Sequence, residues 1–241
     1  MSFKSRLNAF LVGLCLSVTL LAVDAGAASS SDRIIDENDL EKIYAKTGPI
    51  VEAIGRMNVG CTVTHLGNGI AITAGHCFVS SPFHGIRSAG SCESRRYDIK
   101  WGVTYTQDAG YLGSKCVKVL AIELNQERDY AILRVNPVPP RHLKVEFEHE
   151  IAVGDTISIF SHPSMRPLEW SSYCGVEGFF EQSKGNQFRY SCDTEGGSSG
   201  ASVLNKEEAI VGIHNYYNAE LNRNGATKIS STPLRVFLSN L

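Results

Sequence analysis

From Gly69 onward the apolar residues come in short runs, each stopped by turn-forming residues, and this pattern most constrains the fold. Gly69–Thr73, Ile99–Val103, Val117–Glu123 and Tyr130–Val135 are β-branched or alternating, while Gly67-Asn-Gly69, Ser80-Ser-Pro82 and Asn136-Pro137 break them. Beyond the Pro137-Val-Pro-Pro140 connector, further candidate strands are Thr156–Phe160, Gly175–Phe180, Phe188–Ser191, Ser202–Leu204, Ala209–Ile213 and Ala226–Ser230. Ten or so short strands without long helical periodicity predict an all-β sandwich or a pair of barrels. Only the end departs from this. Thr232 as N-cap, Pro233 at the first helical position and apolar residues at helical spacing predict a helix over 232–240.

Residues 1–27 read as a secretory signal: Lys4 and Arg6, the apolar run Ala9–Val23, then Ala25-Gly-Ala27 as a small-residue cleavage site. The run is about fifteen residues, short of the ~20 that span a bilayer. Residues 28–33 read as a short leader, with Arg33-Ile34 as a candidate processing bond, so the mature domain is expected over 34–241. A secreted product, extracellular or periplasmic and without a stable membrane anchor, follows.

Of the seven cysteines, Cys15 leaves with the signal, and Cys61, Cys77, Cys92, Cys116, Cys174 and Cys192 remain. An even number in an exported chain favours disulfides over metal ligands. Without a Cys-x-x-Cys or His-x-x-x-His pair, no metal site and no cofactor are expected. Six cysteines allow fifteen pairings. The 241 residues carry a formal net charge of −2, with 43% hydrophobic and 20% charged. Nothing in that balance directs the chain to nucleic acid or to a membrane surface.

The chemistry-bearing stretch is Cys192-Asp-Thr-Glu-Gly-Gly-Ser-Ser-Gly-Ala-Ser202. Glycines around a serine let consecutive N–H groups converge on one side, which sets a nucleophile beside an oxyanion site. Ser199 is the better nucleophile, since Gly197 and Ser199 then supply the two donors. A serine needs a base and the base an orienting acid. His76, in Ile72-Thr-Ala-Gly-His-Cys77, follows a candidate strand, where a bond from Cys77 to Cys61 would pin the loop. Asp129, in Arg128-Asp-Tyr-Ala-Ile-Leu-Arg-Val135, enters a buried-looking strand and needs a partner to offset desolvation. Taken singly, each has a blander reading: a linker turn, a packed His-Cys pair and a turn-capping Asp.

Thr73-Ala-Gly-His-Cys77, Asp129-Tyr-Ala-Ile-Leu133 and Gly197-Ser-Ser-Gly200 occur in the order His, Asp, Ser. Together they resemble the chymotrypsin-like (trypsin-like) serine peptidases. Ile34-Ile-Asp-Glu-Asn-Asp39, Ile157–Pro163, Asp193–Gly200 and Ile210-Val-Gly-Ile-His214 resemble the bacterial glutamyl endopeptidase branch in particular. The resemblance spans about residues 34–241. It implies a double six-stranded antiparallel β-barrel with the site in the cleft, the first barrel over about 50–136 and the second over about 145–230. It also implies His76, Asp129 and Ser199 as the triad, Gly197 and Ser199 as the oxyanion hole, and a Cys61–Cys77 disulfide. Cys92 with Cys116 and Cys174 with Cys192 follow by proximity in sequence.

The expected activity is peptide-bond hydrolysis by a secreted monomer acting on protein or peptide substrates. Three residues bear on specificity. Thr194 and His214 match positions that bind a glutamate carboxylate in that branch, whereas Asp193 stands where trypsin-like enzymes place the acid that attracts Arg or Lys. The expectation leans to acidic residues before the cleaved bond, with Arg/Lys preference the alternative. Ser198 replaces the acid with which trypsin captures its new N-terminal amine, so that activation switch is expected to be absent. A non-catalytic binding homologue and a disulfide-rich adhesin or lectin are the competing classes. His65, His84, His142, His149 and His162 are expected at the surface or behind the site, Trp101 and Trp170 in the core or cleft wall, and Val145–Glu150 as an exposed strand or loop.

Overall fold

The computed structural model describes residues 34–79, 85–106 and 112–239. The expected signal, the leader with Arg33, the Ser80–Pro82 turn signal, His84 and the last residue of the expected helix lie outside the described residues.

The first barrel takes its strands in chain order after β1 (Glu41–Lys42) and the short helix α1 (Pro49–Ala53). They are β2 (Ile54–Met57), β3 (Cys61–Gly67), β4 (Ile70–Thr73), β5 (Gly90–Ser91), β6 (Ile99–Trp101), β7 (Gly113–Leu124) and β8 (Asp129–Asn136). Their order is β5-β7-β6-β2-β3-β4-β8, and pairing of β7 with β8 closes a ring of six, with two-residue β5 attached outside. The second barrel comprises β9 (Thr156–Ser161), β10 (Glu169–Phe179), β11 (Gln187–Tyr190), β12 (Ser202–Leu204), β13 (Ile210–Asn218) and β14 (Arg223–Lys228). Here β9 pairs with β10 to close the ring β10-β11-β14-β13-β12-β9, and β1 is the two-residue addition on β10. Closing each sheet on itself leaves no long free edge.

Burial explains why some strands are continuous apolar runs and others alternate. Val63, Ala71, Val119 and Leu133 fill the first barrel, and Ile157, Ile159, Val176, Phe188, Val203 and Val211 the second. A third cluster joins Ile54, Ile70, Ile72 and Ile132 of the first barrel to Leu204, Ile210, Ile213, Ile229 and Leu234 of the rest. Strands β4 and β8 therefore face the barrel interior on one side and the seam on the other, and have no face left for polar residues. Strand β7, with one face in solvent over its first half, alternates instead.

The sequence reading misses β2 and β3. Thr62, Thr64 and His65 make β3 look polar, yet all seven of its residues are buried. The hydroxyls of the two threonines are satisfied across the seam. Thr62 Oγ1 donates to the Gly197 carbonyl at 2.9 Å, and Ser202 Oγ to Thr64 Oγ1 at 2.8 Å. Of the histidines expected at the surface or behind the site, His65 and His162 are not at the surface, because both are buried. His65 Nδ1 lies 2.6 Å from the Arg141 carbonyl and its Nε2 accepts from Gly69 N–H, so the ring ties two loops together. Trp101 is core, its Nε1 donating to Ser114 Oγ at 2.7 Å, while half-buried Trp170 stacks on Phe160. The end of the chain forms a 3-10 turn at Ile229–Ser231, which shortens the expected last strand, and then helix α2 (Leu234–Ser239). Thr232 Oγ1 accepts the Leu234 N–H at 3.4 Å, as expected of its cap position.

Candidate active site

The loop after β4 turns at once into a 3-10 turn, Gly75–Phe78, which carries His76. A Cys61–Cys77 disulfide ties the next residue to the start of β3. Asp129, at the first position of β8 and 7% exposed, holds this histidine at two points. Its Oδ1 accepts the His76 backbone N–H at 3.0 Å, and its Oδ2 lies 2.6 Å from His76 Nδ1. An ionised carboxylate only accepts, so Nδ1 carries the proton and Nε2 keeps its lone pair. Asp129 is anchored in turn from the other barrel, its own N–H donating to Thr227 Oγ1 of β14 at 3.0 Å.

The Ser199 turn is built from the second barrel but braced on the first. Ser198 N–H donates to the Glu195 carbonyl at 3.0 Å, and Ala201 N–H to the Ser198 carbonyl at 2.9 Å. The Ser199 carbonyl accepts Thr62 N–H at 2.9 Å. Gly200, at φ +85°, fits so closely that a Cβ there would run into Thr73 Oγ1 and the Thr62 carbonyl and lie 2.8 Å from Ala74 N. The turn thus rests on the end of β4 and on Ala74, two residues before His76. Ser198 is buried, its hydroxyl 2.9 Å from that of Ser161.

The peptide between Gly196 and Gly197 is fixed from outside. Its carbonyl accepts Ser164 N–H at 2.5 Å. In a trans peptide the N–H points opposite to the C=O, so the Gly197 N–H is turned away from residue 164. Among the described residues neither the Gly197 nor the Ser199 N–H donates to another protein atom. The N–H groups of residues 197 and 199 are thus not taken up by the protein, and such unused donors, where they converge, can hold a developing oxyanion.

Of the three residues singled out for specificity, Asp193 has partners different in kind from those of the other two. Asp193 is 2% exposed, and its carboxylate accepts Ile35 N–H at 2.6 Å and Asp39 N–H at 2.9 Å. Burial, followed by the Asp193 charge and a hydrogen bond to it, raises the Asp39 carboxyl to about 6. Thr194 Oγ1 donates instead to Asn224 Oδ1 of β14 at 3.0 Å, and His214 Nδ1 lies 2.7 Å from Tyr190 Oη of β11. Both are fully buried.

The cysteines pair as Cys61–Cys77, Cys92–Cys116 and Cys174–Cys192. Cys61, Cys77 and His76 sit close enough to share an ion, but sulfurs joined to each other offer no thiolate. The sequence reading missed Thr227, Arg166 and Glu195 near the site. Thr227 could not be found from spacing, since its hydroxyl, which Asn215 Nδ2 of the neighbouring strand also reaches, meets Asp129 only once the two barrels are together.

The sequence pattern of the trypsin-like peptidase domain matches residues 60–213. Among solved structures, that of a Glu endopeptidase in complex with MPD superposes with a TM-score of 0.58, covering 86% of this chain and 97% of that one. The two are 18% identical, so the likeness is one of fold. No curated protein sequence matches the chain.

Proposed function

The chain belongs to the trypsin-like peptidase family and is a serine endopeptidase, and from that premise we propose that Ser199, His76 and Asp129 carry the reaction. Ser199 Oγ attacks the scissile carbonyl while His76 Nε2 takes its proton. Asp129 holds the ring in the tautomer that leaves Nε2 free and stabilises the imidazolium that forms. The Gly197 and Ser199 N–H groups receive the oxyanion. As the carbon–nitrogen bond breaks, His76 returns the proton to the leaving amine, and water then repeats the steps to free the acid from Ser199. The observation that carries this reading is the two-point grip of Asp129 on His76, set beside a turn braced on the same strand.

Purified Ser199→Ala should lose several orders of magnitude in turnover, and a sulfonyl fluoride or organophosphonate should label the native protein at Ser199. Near-full activity in the variant, or no labelling, would overturn the assignment and favour a binding-only homologue.

Specificity for glutamate before the cleaved bond is the finer part of the proposal. It is supported by a hydroxyl and an imidazole in the second barrel, Thr194 bonded to Asn224 of β14 and His214 on β13, the strand paired with β14, while Asp193 is engaged by the backbone N–H groups of Ile35 and Asp39. A panel of chromogenic peptides differing only at that residue tests it. Strong cleavage after Arg with none after Glu would reverse it.

The reading extends to the whole chain: a signal over 1–27, a leader over 28–33, and a mature domain from 34 that works outside the cytoplasm as a monomer. Three disulfides are consistent with an oxidising compartment. Among the described residues no helix is long and apolar enough to cross a membrane. Mass spectrometry of the secreted form would locate its first residue.

A further inference from the structure

The strap between β9 and β10 contains two consecutive non-glycine residues in the left-handed region, Ser164 at φ 48° and Met165 at φ 62°. Such conformations cost on the order of 1 kcal/mol each and persist where their surroundings impose them. The surroundings here are a set of charged hydrogen bonds centred on Arg166.

Its guanidinium is divided between two carboxylates. Nε and Nη2 donate to Glu169 Oε1 and Oε2, both at 2.9 Å. Nη1 and Nη2 donate to Glu195 Oε2 and Oε1 at 2.8 and 2.9 Å. Paired forks of this kind fix orientation as well as distance. Glu169, only 4% exposed at its side chain, also accepts from Tyr105 Oη. Ser164 Oγ donates to Glu195 Oε2 at 2.8 Å, and Arg56 Nη1 to the Met165 carbonyl at 2.5 Å. His162 Nδ1 lies 3.0 Å from the Arg166 carbonyl. Hydrogen bonds from Arg166 hold the Glu195 carboxyl below its usual range.

Glu195 opens the turn that ends at Ser199, and the next carbonyl along, that of Gly196, is the one Ser164 N–H holds. Arg166 therefore welds the strap to the turn on one side of a peptide whose other side presents the Gly197 N–H. We propose that Arg166, through Glu195, is a positioning residue for the oxyanion site: it sets the plane of the Gly196–Gly197 peptide and so the aim of the Gly197 N–H. The proposal rests on the triad reading above. It adds that the aim of one oxyanion donor depends on the Arg166–Glu195 ion pair. Without the guanidinium, Glu195 keeps only the Ser164 hydroxyl as a side-chain partner, the strap that carries Ser164 can relax out of its left-handed turn, and the peptide it holds is then less constrained.

The test uses the mature enzyme with Arg166→Gln, Arg166→Lys and Glu195→Gln. Three quantities are measured: kcat and KM for a peptide substrate, affinity for a peptide aldehyde that forms a tetrahedral adduct, and affinity for the uncleaved peptide on a Ser199→Ala background. A misaimed donor should cost less than the ~10²–10³ lost when a donor is removed outright. Arg166→Gln is expected to lower kcat and aldehyde affinity together, about ten- to a hundredfold, with KM and ground-state peptide affinity within about twofold. Arg166→Lys, which keeps the charge and loses the fork, should fall between it and the native enzyme.

Unchanged kcat and aldehyde affinity in Arg166→Gln would overturn the proposal, as would a loss confined to KM. If Arg166→Gln does not fold, Glu195→Gln decides: it keeps the side-chain shape, and the same paired loss supports the proposal while none refutes it. Sulfonyl fluoride labelling of native Ser199 separates this failure from failure of the triad reading. A labelled enzyme whose variants behave like the native one sinks only the role of Arg166.

Discussion

Asp193 accepts the backbone N–H of Ile35 at 2.6 Å, joining the segment just before the Ser199 turn to chain 158 residues away. Its second oxygen takes the Asp39 N–H. Sequence position alone makes Asp193 a candidate partner for a substrate Arg or Lys, but both of its oxygens already have donors, and it is buried. The acid acts as an anchor for residues 35–39. Asp193→Asn puts an amide NH2 against one of those N–H groups, which cannot bond it. The expected cost is about 1–3 kcal/mol, seen as a lower unfolding midpoint and faster hydrogen exchange at Ile35 and Asp39. The ranking of residues preferred before the cleaved bond should not change. A variant that loses cleavage after Arg and gains it after Glu would show that Asp193 faces the substrate.

Asp129→Asn has a sharper consequence here than simple loss of charge. Because Oδ1 accepts the His76 backbone N–H, an asparagine keeps its carbonyl oxygen there and turns its NH2 toward His76 Nδ1. Two donors then face each other unless the ring moves its proton to Nε2, which is the tautomer that cannot accept from Ser199. Turnover should fall about 10⁴-fold, as in other triads of this type, with the fold intact by circular dichroism. A fall of tenfold or less would mean that Asp129 does not set the tautomer.

Where a strand meets hydrophobic surroundings on both faces, as Ile70–Thr73 and Tyr130–Val135 do, its sequence is a plain apolar run and can be read directly. Strand β3 could not be read this way, because Thr62 and Thr64 face a polar seam whose partners, Gly197 and Ser202, are more than a hundred residues on. The same limit applied to the site. His76, Asp129 and Ser199 each lie in a short recognisable segment, so their candidacy is local information. The Arg166–Glu195 pair joins a residue of the nucleophile segment to one 29 residues earlier in a strap without such a motif, and exists only through the packing of strap against turn. For Asp193 the residue type was legible and its direction was not. Direction depends on residues 35–39 lying beneath the turn.

His162 makes acid stability testable. Burial lowers its ring from the ordinary 6.5 to about 3, and the same cause lowers His65. The native state thus holds both rings neutral, while the unfolded chain binds protons near pH 6.5. Their contribution is fully present above the unfolded value and is lost as pH falls from about 6.5 toward 3. For His162 it is on the order of a few kcal/mol. Denaturant midpoints should drop steeply between pH 6.5 and 4, and His162→Gln should flatten that slope while lowering stability at pH 8. Asp39 runs the opposite way, since its carboxyl is raised to about 6 and favours the folded state below that value. An unfolding midpoint independent of pH between 4 and 7 would contradict the assignment for His162.

A matched pair of glycine substitutions can separate backbone strain from the fit between the barrels. Gly200 and Gly154 have similar angles, φ +85° and +93°, so alanine carries a similar left-handed penalty at each, about 1–2 kcal/mol. Their surroundings differ: a Cβ on Gly154 meets nothing within 4 Å, whereas one on Gly200 collides with Thr62, Thr73 and Ala74. Gly154→Ala should lower the unfolding midpoint modestly and leave kcat unchanged. Gly200→Ala has to push the Ser199 turn away from the end of β4, and with it away from His76, which follows Ala74 by two residues. A displacement of about 1 Å at reacting groups costs about 10² in rate, so its turnover should fall at least that far even in protein that remains folded. If the two variants lost stability equally and Gly200→Ala kept its activity, the brace between turn and strand would not be what sets Ser199 against His76.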